Sequence, residues 1–127
     1  MKKIVPQVPS LNVVESLEFY SQKLGFSDRW QFNQNYGGVR TPLELNFCYY
    51  DNPDFPKNYV MRFEVEDIQS HYQNCQQHGI VHPHGLLEQK PWGVQEFSVL
   101  DPSGVLIVFY QRLLVTTQHV QDEENIA

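Results

Sequence analysis

The sequence has little positive charge, and it lacks any long apolar run. Nine Lys and Arg face fifteen Asp and Glu, which gives a formal net charge of -6. A basic footprint is the usual mark of a nucleic-acid binder, so nucleic acid is not an expected partner. Lys2 and Lys3 are not followed by an apolar stretch, so neither a signal peptide nor a membrane span is predicted, and no membrane partner.

Cysteines are equally scarce, and the common catalytic motifs are missing. The only two, Cys48 and Cys75, are isolated, which predicts reduced thiols in a cytoplasmic protein. No Gly-x-Ser-x-Gly, phosphate loop or Gly-x-Gly-x-x-Gly occurs. Nothing beside Cys48 would lower the pKa of its thiol, so a structural role is expected for it rather than a nucleophilic one.

What the sequence does contain is one globular domain. With 127 residues and 41% apolar residues, the chain can build a hydrophobic core. Residues 115–127 are polar, carry three acidic and no basic residues and show no apolar period, so we expect a disordered tail there. Without this tail the balance is nine basic to twelve acidic residues.

An internal repeat organises this domain. Asn12 is placed to cap a first helix that Gly25 ends, and Asp67 is placed to cap a second helix that Gly79 ends. The caps are 55 residues apart and the glycines 54 apart. A period shared by start and stop signals indicates a duplicated unit.

Strand patterns surround each helix in the same way. Strands are predicted at 3–8, 28–33, 38–41 and 43–50 around the first helix, with a turn near residues 36–37. Around the second helix they are predicted at 59–65, 95–100 and 105–110, and the last of these is apolar on both faces, as a central strand is. The expected fold class is α+β, with two β-α-β-β-β modules at about 3–50 and 59–112.

Several short motifs occur in a fixed order along the chain: Val8-Pro9-Ser10-Leu11-Asn12, Leu24-Gly25-Phe26, Phe63-Glu64-Val65-Glu66-Asp67-Ile68, Pro91-Trp92-Gly93 and Asp101-Pro102-Ser103-Gly104. In this order and spacing they resemble the vicinal oxygen chelate superfamily, which includes glyoxalase I, extradiol dioxygenases and the bleomycin-resistance proteins. The likeness covers residues 4 to 111 and is greatest to the bleomycin-resistance proteins. It implies that residues 1–114 form one such domain, whose sheets curl around a cleft that a second subunit often completes.

In the enzymes of this superfamily the cleft holds a divalent metal, and the resemblance allows its ligand positions to be counted. They fall on Val5, Val60 and Val108, with an acid retained only at Glu44. Valine offers no ligand atom, so no metal and no cofactor are expected. A rival site is the cluster His78, His82 and His84, in which His82 and His84 could supply two imidazoles to a zinc or copper ion. A surface loop is the favoured interpretation, because a site needs three or four ligands and only Glu88 lies nearby to complete it.

The alternation of the strands predicts which side chains face the cleft. Met61, Phe63 and Val65 should face the helices, which leaves the opposite faces to polar and aromatic groups. The predicted ligand-binding residues are Trp30, Phe32, Glu44, Asn46, Arg62, Trp92 and Tyr110. An equally weighted interpretation makes Arg62 and Glu44 a structural ion pair that bridges the modules.

The favoured function is a metal-free homodimer that binds a small aromatic or cationic molecule, as a bleomycin-resistance protein sequesters its drug. The alternative is a lyase, isomerase or dioxygenase of the same superfamily whose ligands lie elsewhere. A third reading is a dimeric interaction module without a small ligand. Because fold alone does not determine function, the site must decide among them.

Overall fold

A computed structural model describes residues 1–114 of the chain. The predicted disordered tail at 115–127 lies outside the described residues. The structure has the strands β1 (Gln7–Ser10), β2 (Trp30–Asn33), β3 (Tyr36–Val39), β4 (Leu45–Tyr49), β5 (Val60–Glu64), β6 (Glu88–Lys90), β7 (Val94–Leu100) and β8 (Leu106–Arg112). Its helices are α1 (Val13–Gln22), α2 (Asp54–Lys57) and α3 (Ile68–Gln77).

The strands form two four-stranded sheets with the same topology. Their orders are β1-β4-β3-β2 and β5-β8-β7-β6. In each sheet the first and last strands of the module run parallel and the other pairs antiparallel. The α+β class and the duplicated β-α-β-β-β unit are therefore confirmed, whereas the assignment of residues 1–114 to a single domain stays a prediction.

Local signals explain where the two long helices begin and end. The side chain of Asn12 accepts the Glu15 backbone N–H at 3.1 Å, and that of Asp67 accepts the Ser70 backbone N–H at 3.2 Å. Gly25 and Gly79 follow the helices with φ of 80° and 67°, a region that glycine adopts without strain. None of the helices in residues 1–114 has the length and apolar character that a membrane crossing requires.

The two modules share one hydrophobic core, which lies on the helix-bearing side of both sheets. Leu45 and Phe47 of β4, and Met61 and Phe63 of β5, are all buried in it. The Phe63 ring lies 5.9 Å from that of Phe26 in the other module. The remaining side of each sheet therefore points away from the shared core.

Polar contacts tie the modules together at the Asp101-Pro102-Ser103-Gly104 turn. Oδ1 of buried Asp101 accepts the backbone N–H groups of residues 103, 104 and 105, which fixes the turn. Its Oδ2 accepts the hydroxyl of Tyr20 from α1 at 2.8 Å. Burial raises the pKa of Asp101, and these four hydrogen bonds act in the opposite direction.

Several predicted boundaries were wrong. Strand β1 starts at Gln7 rather than Lys3, because its pairing with β4 begins at the Gln7–Asn46 pair. The first module's turn lies at residues 34–35, and β3 already starts at Tyr36. Strand β6 was missed, since it is a three-residue polar strand at the sheet edge whose one partner within residues 1–114 is β7.

Candidate functional site

The site is built on the two sheet sides that the core does not use. On β5, Met61 and Phe63 are buried, whereas Val60, Arg62 and Glu64 are exposed on the other side. The predicted facing of β5 is thus confirmed. Two surfaces result. We call them the β4 face (Gln7, Trp30, Tyr36, Asn46, Cys48) and the β8 face (Arg62, Trp92, Glu96, Tyr110).

The β4 face is a row of neutral polar groups that crosses the whole first sheet. Strand register aligns Trp30 with Gly38, Gly38 with Asn46, and Asn46 with Gln7. Asn46 Nδ2 donates to the Tyr36 hydroxyl at 3.0 Å, and this hydroxyl donates to Gln7 Oε1 at 3.4 Å. A face of amides and phenol can hydrogen-bond a ligand in either direction without bringing a net charge.

Gly38 lies in the middle of this row, and neighbouring atoms fill the space that a side chain would need. A Cβ there would lie 2.8 Å from Trp30 Nε1 and 2.9 Å from Asn46 Oδ1, so both atoms occupy the space of the missing side chain. Neither atom has a hydrogen-bond partner within the described part of the chain. The Trp30 ring itself packs edge-on against Tyr36 at 5.3 Å, with the Arg40 guanidinium 5.4 Å from the ring.

Cys48 completes the β4 face as a thiol. Its Sγ donates to Gln7 Oε1 at 3.4 Å, and partial burial raises its pKa. A raised pKa keeps the sulfur protonated at neutral pH, which is the opposite of what a nucleophilic cysteine needs. Cys48 and Cys75 are both free of disulfides.

The β8 face gathers aromatic and charged groups around one carboxylate. Glu96 Oε1 accepts the Trp92 indole N–H at 3.3 Å and lies 3.4 Å from Arg62 Nη1. The Arg62 guanidinium lies 4.4 Å from the centre of the Tyr110 ring. Trp92 keeps 63% of its surface exposed, so its ring is available for stacking.

The structure therefore brings together five of the seven predicted ligand residues, in two groups. Trp30 and Asn46 share the β4 face, and Arg62, Trp92 and Tyr110 share the β8 face. Glu96 was missed by the sequence reasoning. The same alternation could have found it, because Phe97 and Val99 are core residues of β7 and Glu96 points the other way.

The other two predicted residues lie at the margin. Phe32 on the edge strand β2 is 78% exposed and contacts no other described ring. Glu44, two residues before Asn46, is paired with Lys3. The alternative reading of an Arg62–Glu44 bridge is wrong, because Arg62 is paired with Glu96 and Glu44 with Lys3 in the described chain.

The positions at which the superfamily's enzymes hold their metal do not fit one here. Val5, Val60 and Val108 provide no ligand atom, and Glu44 is the only carboxylate among the four. Residues 1–114 contain no group of three or more His, Cys, Asp and Glu side chains arranged to hold a metal ion. No step of a reaction can be assigned to a metal on this donor set.

The histidine cluster is also poorly arranged for a metal. The rings of His82 and His84 are 5.7 Å apart. However, Nδ1 of His82 accepts the backbone N–H of His84 at 3.0 Å, which uses one of its two nitrogens within the loop. His78 is the C-cap residue of α3. The hydrogen bond between His84 and His82 is a local one within the loop that follows this helix.

The two faces are separate in the described part of the chain. In residues 1–114 no hydrogen bond, ion pair or ring contact joins a residue of the β4 face to one of the β8 face. An open groove of about 610 Å³ lies instead at the start of α1, and another of about 460 Å³ lies between the modules. None of the seven predicted ligand residues lines either groove.

Comparison with known proteins places this geometry in a family. The sequence profile of the Glyoxalase/Bleomycin resistance protein/Dioxygenase superfamily matches residues 8–109. The chain belongs to this superfamily. The resemblance inferred from the sequence motifs is thereby confirmed.

Curated relatives and solved structures show which members of the superfamily this chain is similar to. Bleomycin resistance proteins from Geobacillus stearothermophilus and Staphylococcus aureus are each 26% identical over 138 residues, covering 89% of this chain and 98% of theirs. A bleomycin resistance determinant encoded on the transposon Tn5 superposes with a TM-score of 0.74 at 22% identity, covering 90% of this chain and all of that one. A bleomycin-binding protein solved with bleomycin gives 0.71 at 21% identity, with 88% and 99% covered. At these identities the structures show the shared fold.

Proposed function

We propose that this protein binds a bleomycin-type drug or a similar planar aromatic molecule and leaves it chemically unchanged. The observation that carries the proposal is the β8 face, where an exposed tryptophan and a ring-stacked arginine are fixed beside each other. An aromatic surface with a few placed polar groups is the usual make-up of a small-molecule site.

The chemistry of both faces favours binding over catalysis. Three of the four metal positions are valines, and the pKa of Cys48 is raised rather than lowered. Stacking on Trp92 and hydrogen bonds to the neutral amides of the β4 face need no chemical step. Such contacts can give micromolar affinity, roughly -8 kcal/mol.

The names of the relatives point the same way. The curated relatives are bleomycin resistance proteins, and solved neighbours include bleomycin-binding proteins with bleomycin and with copper(II)-bleomycin. A protein that only binds its drug can protect a cell when it is abundant enough. A net charge of -6 would not repel a cationic ligand.

We further propose a homodimer in which the β4 face of one protomer meets the β8 face of its partner. Each face alone is an open surface. The exposed apolar side chains Val60 and Leu100 lie on the same side of the second sheet as the β8 face. A twofold dimer would cover them and create two equivalent clefts. The location we propose is the cytoplasm, which suits two free thiols.

Titration calorimetry with bleomycin tests the function directly. Wild-type protein should bind. Trp92→Ala should weaken binding by about 2 kcal/mol, close to thirtyfold, as truncation does for an aromatic side chain that becomes buried on binding. Phe55→Ala is the matched control, since Phe55 is similarly exposed in α2 and belongs to neither face. Drug recovered after incubation should be intact by mass spectrometry.

The outcomes separate the candidate functions. Turnover of the drug would move the protein to the enzymes of the superfamily. Absence of heat at drug concentrations up to the millimolar range would remove drug sequestration. Equal binding by wild type and Trp92→Ala would refute the β8 face as the site.

A further inference from the structure

Glu96 lies at the centre of the β8 face and is far less exposed than its neighbour Glu88. It lies on β7 between Tyr110 of β8 and Glu88 of β6 in the strand register. Its side chain is only 12% exposed, whereas that of Glu88 is 62% exposed and paired with Lys90. A carboxylate with so little water needs protein donors to offset its desolvation.

Those donors are two groups that also belong to the β8 face. A single atom, Glu96 Oε1, receives the Trp92 indole N–H at 3.3 Å and the Arg62 Nη1 at 3.4 Å. The indole and guanidinium nitrogens therefore lie within two hydrogen-bond lengths of each other. An exposed tryptophan would otherwise sample several rotamers, and fixing it before binding reduces the entropy lost on binding.

Arg62 is held from two sides and keeps donors to spare. The Tyr110 ring supports its guanidinium at 4.4 Å and Glu96 holds one end. A guanidinium has five N–H donors, and within residues 1–114 its only hydrogen bond is the one to Glu96. With 43% of the Arg62 side chain exposed, the remaining donors can reach an acceptor on a bound molecule.

We propose that Glu96 is a positioning residue that fixes Trp92 and Arg62 as one recognition unit. The ligand class that fits this unit is a planar ring with a hydrogen-bond acceptor, such as a ring nitrogen or carbonyl, at its edge. The ring stacks on Trp92 while the acceptor takes an N–H of Arg62. This inference rests on the proposed function, because it assigns the chemistry of the same site.

The positioning role is tested without ligand, by time-resolved fluorescence anisotropy of Trp92 in a Trp30→Phe background. Glu96→Leu should increase the amplitude of the fast nanosecond rotation of the indole. Glu96→Gln retains an acceptor for the indole N–H and should rotate nearly as slowly as the parent protein. Glu18→Gln removes the same charge on α1, away from the β8 face, and should change nothing. Unchanged anisotropy in Glu96→Leu would overturn the positioning role, whether or not any drug binds.

The ligand class is tested with quinoline and naphthalene, which have the same shape and differ by one ring nitrogen. The wild-type protein should bind quinoline about tenfold more tightly by NMR titration, as a hydrogen bond to a charged donor predicts. Glu96→Gln should lose much of this preference while its Trp92 stays ordered, because a neutral amide oxygen holds the guanidinium more weakly than a carboxylate does. Equal affinity of the wild type for both probes would overturn the ligand class.

The two arms also separate this inference from the proposed function. One outcome is that bleomycin fails to bind while the wild type prefers quinoline and Glu96→Leu increases the mobility of Trp92. That result would refute drug sequestration and support the recognition unit. If bleomycin binds and the preference is absent, the function stands and the ligand class assigned to Arg62 is wrong. Circular dichroism of each variant confirms that the fold is retained.

Discussion

Mixing two variants with weakened binding tests whether the cleft is formed between protomers. Trp30→Ala damages the β4 face and Trp92→Ala the β8 face, and these faces make no contact within one described chain. In a dimer whose clefts each combine a β4 face with the partner's β8 face, a heterodimer of the two variants has one intact cleft. Its other cleft carries both substitutions.

The expected magnitude follows from this geometry. Each homodimeric variant should bind bleomycin about thirtyfold more weakly than wild type, since each of its clefts lacks one ring. The heterodimer should regain wild-type affinity at about one drug per dimer, half the wild-type stoichiometry. A random mixture should regain about one cleft in four, because about half of its dimers are heterodimers.

The assay uses co-expression with two different affinity tags, so that sequential purification isolates the heterodimer. Titration calorimetry then gives the number of drugs bound and their affinity. Weak binding at every site of the heterodimer would mean that each chain forms its own site, and the proposed pairing of faces would be refuted. A single-chain mass by light scattering at micromolar concentration would refute the dimer itself.

Three further predictions concern the described fold. Tyr20→Phe removes the one side-chain donor that Asp101 has among residues 1–114. It should lower the free energy of unfolding by about 1–3 kcal/mol, measured as a shift of the urea midpoint at constant slope. Gly38→Ala places a Cβ 2.5 Å from the backbone of β4, so it should lower the free energy of unfolding by about 1–3 kcal/mol and weaken binding. At Gly25 a Cβ meets no atom within 4 Å, so Gly25→Ala should lower the free energy of unfolding by only about 1 kcal/mol, through its positive φ, and leave binding unchanged. Burial raises the pKa of Cys75 to about 11, so alkylation at pH 8 should require unfolding, and rapid labelling of native protein would contradict this.

The parts of the fold that the sequence predicted well depend on local chemistry. Asn12 and Asp67 cap their helices as predicted, because an N-cap involves only residues three positions apart. Their regular spacing disclosed the repeat, and alternation on β5 assigned Met61 and Phe63 to the core. These signals need no knowledge of what lies across the sheet.

The errors arose where pairing partners decide the structure. Strand β6 has no alternation of its own and exists because Gln89 pairs with Gln95. Residues 3–6 have a strand-like sequence, yet β4 offers partners only from Asn46 onward on this side. Propensity alone cannot supply such information, since a strand is stabilised by its neighbours.

The Arg62–Glu44 bridge failed for a related reason that also bears on function. Alternation assigns a residue to one side of a sheet, but it does not say which sheet that side will meet. Here both sheets turn their helix-bearing sides toward one core, and each polar side is left open. A site divided in this way is complete only in the proposed dimer, so ligand and dimer must stabilise each other by mass action. Drug should therefore shift the monomer–dimer equilibrium toward the dimer on dilution, and Trp92→Ala should reduce that shift in proportion to its loss of affinity.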